Sequence, residues 1–176
     1  MLLGVVPLSL VDVILSRRSI RKYLDKSISL DVMNTILEAG RQAPSAGNGQ
    51  PWHFIVITDQ QTKEALSHGR YNTFLKDAPV AIVACGYIGT GQGRKWSTVD
   101  TSIAVQNMVV AAWSLGVGSC WIGDFVESEV KQLLGIPNDY QVVTLLSLGY
   151  PAEVPEARAR KSLGEIVSSN QWRKTS

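Results

Sequence analysis

The stretch Ile103-Ala104-Val105-Gln106-Asn107-Met108-Val109-Val110-Ala111-Ala112-Trp113 is apolar at every position except Gln106 and Asn107. It lies within a longer segment, from about Thr98 to Leu115, that contains no glycine or proline and is followed by Gly116-Val117-Gly118. At helical spacing the apolar side chains cover nearly the whole circumference, so this predicted helix must be buried in a core or an interface. The other elements of the chain, or a second copy of it, have to surround this helix.

The rest of the chain alternates between predicted helices and predicted strands. Capped or amphipathic segments predict helices, whereas β-branched and aromatic runs predict strands. Strands separated by helices indicate an α+β fold with α/β-type layers. The strand that follows Ala78 is apolar throughout, which predicts burial on both faces. The predicted helices cover about residues 10–16, 30–42, 59–67, 98–115, 127–134 and 163–167, and the predicted strands cover 52–58, 79–85, 119–122 and 141–148.

The order of these elements argues against a dinucleotide-binding domain. Such a domain opens with a strand and a glycine-rich turn, but the first predicted strand here begins at Trp52, after two helices. Four glycines do lie in a predicted flexible loop over residues 86–95. Their pattern, Gly86-x-x-Gly89-x-Gly91-x-Gly93, lacks the spacing of a Rossmann fingerprint.

Composition excludes several classes of function. The chain has 176 residues, 18% of them charged, and a formal net charge of +2. We expect a single domain over residues 1–176 with an extended tail from about residue 151. The small net charge argues against nucleic-acid binding, which needs a broad basic face. The low charge content suggests apolar surface that a second copy of the chain covers.

Histidine and cysteine usage predicts neither a metal site nor a disulfide. His53 and His68 are isolated, and Cys85 and Cys120 lie in largely apolar runs, as buried free thiols do. Two isolated cysteines fit a reducing, cytoplasmic compartment. The first fifteen residues lack the charge and cleavage pattern of a signal peptide, and residues 103–123 are too polar and glycine-broken to span a membrane.

A cluster of positive charge follows the first helix, in Ser16-Arg17-Arg18-Ser19-Ile20-Arg21-Lys22-Tyr23. Arginine presents a planar fork of donors that can grip phosphate oxygens two at a time, and serine adds another donor. The alternative is a solvated helix end, because cations also suit a helix C-terminus. From the residues alone both interpretations stay open.

No catalytic group is apparent, because the chain has no nucleophile elbow, zinc spacing or Walker loop. If the chain is an enzyme, a cofactor supplies the reactive group. Three segments could hold one: the basic cluster 17–22, the small-residue and amide-rich loop 44–52, and a second basic cluster at 158–161. The alternatives are an ordinary turn for the loop and a solvated tail for the second cluster.

Four motifs, in this order, resemble the FMN-dependent nitroreductase family over about residues 10–167. They are Ser16 to Tyr23; Ala43-Pro44-Ser45-Ala46-Gly47-Asn48-Gly49-Gln50-Pro51-Trp52-His53-Phe54; Gly116 to Gly123; and Arg158-x-Arg160-Lys161-x-Leu163. The resemblance implies a nitroreductase-like mixed sheet flanked by helices, with the long apolar helix at the interface of a homodimer. It also implies FMN bound at that interface, NAD(P)H as co-substrate and a small-molecule electron acceptor.

The resemblance also assigns the residues that would contact FMN. The phosphate would be held by Arg17 and Ser19, with Arg18 beside them and with Arg160 and either Arg158 or Lys161 from the tail. Arg21 would approach the pyrimidine edge, and Ile122 and Gly123 would lie along the ring near N5. The partner subunit would supply its loop, and the loop residues concerned are Pro44, Ser45, Ala46, Asn48 and Gln50.

Some features depart from the family pattern. An acidic residue stands beside the flavin in some members, and the equivalent stretch here is Ile122-Gly123-Asp124. Asn72 is the candidate for an asparagine that some members use, although its surroundings match poorly. The chain also lacks the long insertions that often cover the substrate pocket. Three functions are therefore considered: hydride transfer from NAD(P)H through FMN to a nitroaromatic, quinone or similar acceptor; flavin processing or dehalogenation on the same fold; and a non-catalytic FMN-binding dimer.

Overall fold

The elements of the fold follow the predicted order. A computed structural model of the chain describes residues 9–91 and 95–172. Two short 3-10 helices, Ala46–Asn48 and Thr73–Asp77, lie in the connections. The helices are α1 (Leu10–Ser16), α2 (Leu30–Arg41), α3 (Gln60–Ala65), α4 (Ser97–Ser114), α5 (Glu127–Leu134) and α6 (Leu163–Ile166), and the strands are β1 (Trp52–Ile57), β2 (Val80–Tyr87), β3 (Gly118–Ile122) and β4 (Tyr140–Gly149).

The four strands form one sheet in the order β1-β2-β4-β3, and every neighbouring pair is antiparallel. The parallel component of the expected mixed sheet is confined to the isolated bridge between Ser19 and Ser119. The central strand β2 is buried at every position before Tyr87, so the predicted burial on both faces is confirmed. This sheet is therefore the layer against which the helices pack.

The glycine loop predicted over residues 86–95 begins later than expected. Gly86 and Tyr87 continue strand β2, and the Tyr87 N–H donates to the carbonyl oxygen of Pro51 at 2.8 Å. A side chain at position 86 would collide with the hydroxyls of Ser97 and Thr101, so this glycine serves close packing rather than a turn. Residues 92–94, which include Gly93, lie outside the described residues.

Helix α4 packs between helix α2 and the sheet, as its apolar circumference predicts. A Cβ at Gly40 of α2 would lie 2.3 Å from Cε of Met108, so only glycine allows this close approach of the two helices. Residues such as Val105, Met108 and Val109 are fully buried. Three apolar side chains near the two ends and on one side of α4 remain exposed, and these are Val99, Ile103 and Leu115.

The two ends of the described chain leave much apolar surface uncovered. In α1 the predicted apolar face is only partly packed, because Val13 is buried whereas Leu10 and Ile14 are exposed. Every residue from 152 to 172 is exposed. Five large apolar side chains of this tail contribute to the exposed surface, namely Val154, Leu163, Ile166, Val167 and Trp172. None of the residues described forms a helix long and apolar enough to cross a membrane.

Candidate functional site

The basic segment is fixed along the edge of the sheet beside β3. Ile20 is fully buried, and its N–H donates to the carbonyl oxygen of Ser119 at 2.9 Å. A Cβ at Gly118 would lie 2.5 Å from Cγ1 of Ile20, so the segment sits directly on the strand. Anchoring by this one apolar residue holds the neighbouring Ser19 and Arg21 at the strand edge.

Tyr23 ties the other end of the segment to strand β4. Its hydroxyl donates to the carbonyl oxygen of Ile20 at 2.6 Å and shares a second hydrogen bond, also 2.6 Å long, with Oγ of Ser147. Burial raises the pKa of the Tyr23 phenol well above its ordinary value. The backbone of residues 22–24 also pairs with residues 150–152, so the segment cannot shift independently of the sheet.

Positive charges from the two ends of the chain converge beside β3. The pKa of Arg17 is lowered, first by its burial and then by the positive charge of Arg160. Burial raises the pKa of the Cys120 thiol, whereas the charges of Arg21 and Arg17 and the Ser19 hydroxyl oppose that shift. The arginine cluster comprises Arg17, Ser19 and Arg21, which lie near the Cys120 thiol, and Arg160, which lies near Arg17.

The arginine cluster has no acidic partner within the described part of the chain. The ion pairs there join Lys22 to Glu153, Arg41 to Glu38 and Lys131 to Glu127. Arg21 instead lies 5.8 Å from the centre of the Phe74 ring. Guanidinium groups without a counter-charge suit an anion, above all a phosphate, which is why this cluster is a candidate site.

Arg18 and the tail residues beside Arg160 are placed differently. One terminal nitrogen of Arg18 donates to the carbonyl oxygens of Leu15, Ser16 and Arg17 at 3.1, 2.8 and 2.9 Å, so this guanidinium closes the end of helix α1. Arg158 and Lys161 are exposed in the tail on either side of Arg160.

Loop 45–50 has a tightly defined backbone with three residues in the left-handed region. Gly47, Asn48 and Gln50 have φ angles of 58°, 55° and 45°. Oγ of Ser45 accepts the Gln50 N–H at 3.0 Å, and the buried carboxylate of Asp100 accepts the Ala46 N–H at 3.1 Å. Among the described residues no hydrogen bond or ion pair connects this loop to the arginine cluster.

The segment after β3 anchors a second loop. Ile122 is buried, and a Cβ at Gly123 would meet no atom within 4 Å, so open space lies over the Gly123 backbone. The Asp124 carboxylate accepts the Tyr71 N–H at 2.5 Å. The backbone carbonyl oxygen of Asp124 accepts from Nδ2 of Asn72 at 2.8 Å. Asp124 is therefore engaged in holding residues 69–72.

Asn72 is the candidate site residue that local sequence patterns indicate least. It is 1% exposed and also donates through Nδ2 to the Leu66 carbonyl at 2.9 Å, while its Oδ1 has no partner among the described residues. A buried acceptor without a donor is costly, so this oxygen suits a ligand N–H. Asn72 and Asp124 line a cavity of about 330 Å³ together with Gly69, Phe125 and Val126.

Comparison with known proteins identifies similar chains over nearly the whole sequence. The model described as "Nitroreductase family" matches residues 14–68 and 66–150. A protein of Archaeoglobus fulgidus, named a candidate NADH dehydrogenase/NAD(P)H nitroreductase, is 40% identical over 150 residues, which cover 81% of this chain and 86% of that protein.

Solved structures agree with the sequence matches. An FMN-dependent nitroreductase of Clostridium difficile is 32% identical, with a TM-score of 0.79 over 89% of this chain and 96% of that chain. Nitroreductase A of Vibrio parahaemolyticus is 26% identical and superposes with a TM-score of 0.89 over 95% of this chain and 77% of that chain. The expected helix-flanked sheet is thereby confirmed as a shared fold.

Proposed function

The chain belongs to the nitroreductase family, and we propose that it is an FMN-dependent oxidoreductase that uses NAD(P)H to reduce a small acceptor such as a nitroaromatic or a quinone. The observation that carries the proposal is the convergence of Arg17 and Arg160 from opposite ends of the chain with no acidic partner in the described residues. Such an arrangement is typical of a phosphate site, and FMN brings a terminal phosphate.

The arginine cluster fits the phosphate of FMN. Arg17 and Arg160 would grip its oxygens, Ser19 would add a hydroxyl donor, and Arg158 or Lys161 would add a further positive charge from the tail. Arg18 contributes charge nearby, while its donors hold the end of helix α1. The pKa of Arg17 is lowered first by burial and then by the charge of Arg160, and a bound phosphate would offset both effects.

The residues near Asn72 fit the ring system. The pyrimidine half of a flavin carries an N–H donor, and the buried Oδ1 of Asn72 needs a donor. Ile122 and the open backbone of Gly123 would lie along the ring. FMN, once bound, supplies the hydride-accepting ring that no side chain of this protein provides.

The side chains have binding and electrostatic roles in this scheme. The charge of Arg21 would lie where negative charge develops on reduction of the ring, which favours the reduced form. Asp124 already accepts the Tyr71 N–H and is not required as an acid. Because the side chains are needed only for binding and electrostatics, the scheme requires no catalytic histidine motif.

The uncovered apolar surface supports a homodimer, and the two free buried cysteines fit a reducing compartment such as the cytoplasm. Helix α1, the exposed side of α4 and the tail together present large apolar side chains, and an exposed patch of this kind marks a protein interface. A second copy would cover them and bring its loop to the FMN ring, through the loop residues Pro44, Ser45, Ala46, Asn48 and Gln50.

An anaerobic titration tests the proposal. We expect the purified protein to show flavin absorption, NADH or NADPH to bleach it, and a quinone or nitroaromatic to restore it. Absence of FMN binding would refute the proposal. Bound flavin that neither nicotinamide reduces would instead indicate a flavin-processing, dehalogenating or purely flavin-binding protein.

A further inference from the structure

We infer that Asp100 is a positioning residue: its buried carboxylate fixes loop 45–50 in the shape that contacts the flavin. The inference rests on the proposed function, which places this loop at the FMN of the partner subunit. Asp100 itself belongs to the first turn of helix α4, and none of the four sequence motifs includes it. It would act on the cofactor only through the loop.

Asp100 is a buried carboxylate without a cation. It is 4% exposed, and no ion pair within the described residues includes it. Its one hydrogen bond there accepts the Ala46 N–H at 3.1 Å. Burying an unpaired carboxylate is costly. The hydrogen bond from the Ala46 N–H is therefore the contact that offsets part of this cost.

Loop 45–50 needs such an anchor because its backbone is unfavourable. Asn48 and Gln50 have φ angles of 55° and 45°, a conformation that side chains other than glycine rarely adopt. Internal bonds give the loop its shape: the Asn48 N–H donates to the Ser45 carbonyl, and the Gln50 N–H donates to Ser45 Oγ, both at 3.0 Å. The bond from Ala46 to Asp100 is the one that leaves the loop for another element of the described chain.

Neighbouring polar side chains do not share this role. Ser97 and Thr101 lie on the same face of α4, one turn before and one residue after Asp100, and both are fully buried. Their hydroxyl oxygens have no partner in the described part of the chain and lie against Gly86, on strand β2. Thr101→Val, which removes a buried hydroxyl next to Asp100 but touches no loop bond, is therefore the matched control.

The expected effects follow the strength of the anchor. Asp100→Ala removes the acceptor, and we expect FMN affinity to fall about tenfold or more; Asp100→Asn keeps an oxygen acceptor without the charge, and we expect a loss of about three- to tenfold. Thr101→Val should bind FMN as the unaltered protein does. In the FMN-free protein, hydrogen exchange of the peptide 45–50 should quicken in both Asp100 variants and not in Thr101→Val.

The experiment measures FMN affinity, the visible spectrum and midpoint potential of the bound flavin, hydrogen exchange, and the oligomeric state by light scattering. Graded loss of affinity with a shifted spectrum, in variants that keep the oligomeric state, supports the inference. Unchanged exchange at 45–50 in both Asp100 variants, an equal effect of Thr101→Val, or loss of the oligomer would overturn it. If Asp100→Ala does not fold, Asp100→Asn alone decides through the same readouts. Failure of the unaltered protein to bind FMN would refute the proposed function. Faster hydrogen exchange of residues 45–50 in the Asp100 variants would then still show that Asp100 holds the loop.

Discussion

Arg41 and Arg17 are the same residue type in opposite electrostatic situations. Arg41 is exposed and forms two hydrogen bonds to Glu38, at 2.7 and 2.6 Å, which raise its pKa. Arg17 is half-buried beside Arg160, and its pKa is lowered. The fold pairs the first charge with a carboxylate and leaves the second without one among the described residues. A cation without a counter-charge, rather than a basic sequence, therefore marks the candidate site.

Removing the unpaired charges should have the largest effect. Arg17→Ala loses a charged hydrogen bond to phosphate, and we expect FMN affinity to fall about tenfold to a hundredfold, with a larger loss when Arg160→Ala is added. Isothermal titration with FMN measures both variants. Arg41→Ala serves as the control and should bind FMN normally. Unchanged affinity in the Arg17 variant would show that the arginine cluster is not the phosphate site.

Inorganic phosphate should stabilise the FMN-free protein through the same cluster. At a phosphate concentration ten times its Kd, we expect Tm to rise by about 3–5 °C. Differential scanning fluorimetry at matched ionic strength, with sodium chloride as the reference salt, makes the measurement. The rise should disappear in the Arg17→Ala/Arg160→Ala variant and persist in Arg41→Ala. An equal rise with sodium chloride would indicate simple screening of charge.

A charge-preserving change should have an intermediate effect. Arg17→Lys keeps the positive charge but loses the planar fork, so one of two phosphate contacts is lost. We expect FMN affinity to fall by about two- to tenfold, less than in Arg17→Ala. The same titration decides, and a loss as large as that of the alanine variant would mean that geometry matters here and charge does not.

The exposed ion pair between Arg41 and Glu38 should contribute least to stability. Its hydrogen bonds lower the pKa of Glu38 to about 2, so its stabilisation is present above the ordinary carboxyl pKa and is lost as the pH falls towards 2. Arg41→Ala should change Tm at pH 7 by at most about 2 °C. Melting curves from pH 7 to pH 3 should show the two proteins converging, and a growing difference at low pH would contradict this.

Local sequence patterns predicted most of the fold. Caps predicted where α1 and α2 begin, because the side chains of Ser9 and Ser29 each accept a backbone N–H of the first turn. The exposed Leu10 and Ile14 could not be foreseen, since burial of an apolar face depends on which element lies opposite. The extension of β2 through Gly86 likewise depends on its distant neighbours Ser97 and Thr101.

The candidate site was less accessible to local patterns. The arginines and the loop 44–52 stand out in the sequence, whereas Asn72 and Asp100 do not. Their roles depend on bonds that join residues 52 and 54 positions apart, Asn72 to Asp124 and Ala46 to Asp100. A pattern within a few residues carries no information about such pairs. The order of the motifs could be compared with a known family from the sequence. The buried polar atoms without a partner among the described residues, such as Oδ1 of Asn72, became apparent only in the folded chain.

Tyr23 makes the stability of the folded protein sensitive to alkaline pH. Because burial raises the pKa of its phenol, the neutral hydroxyl stabilises the folded state below the ordinary tyrosine pKa of about 10, and this stabilisation declines as the pH rises beyond it. An ionised Tyr23 could no longer donate to the Ile20 carbonyl. The segment with Ser19 and Arg21 would then lose one of the hydrogen bonds that hold it at the strand edge. Rising pH above about 10 should therefore destabilise the strand edge that carries Ser19 and Arg21.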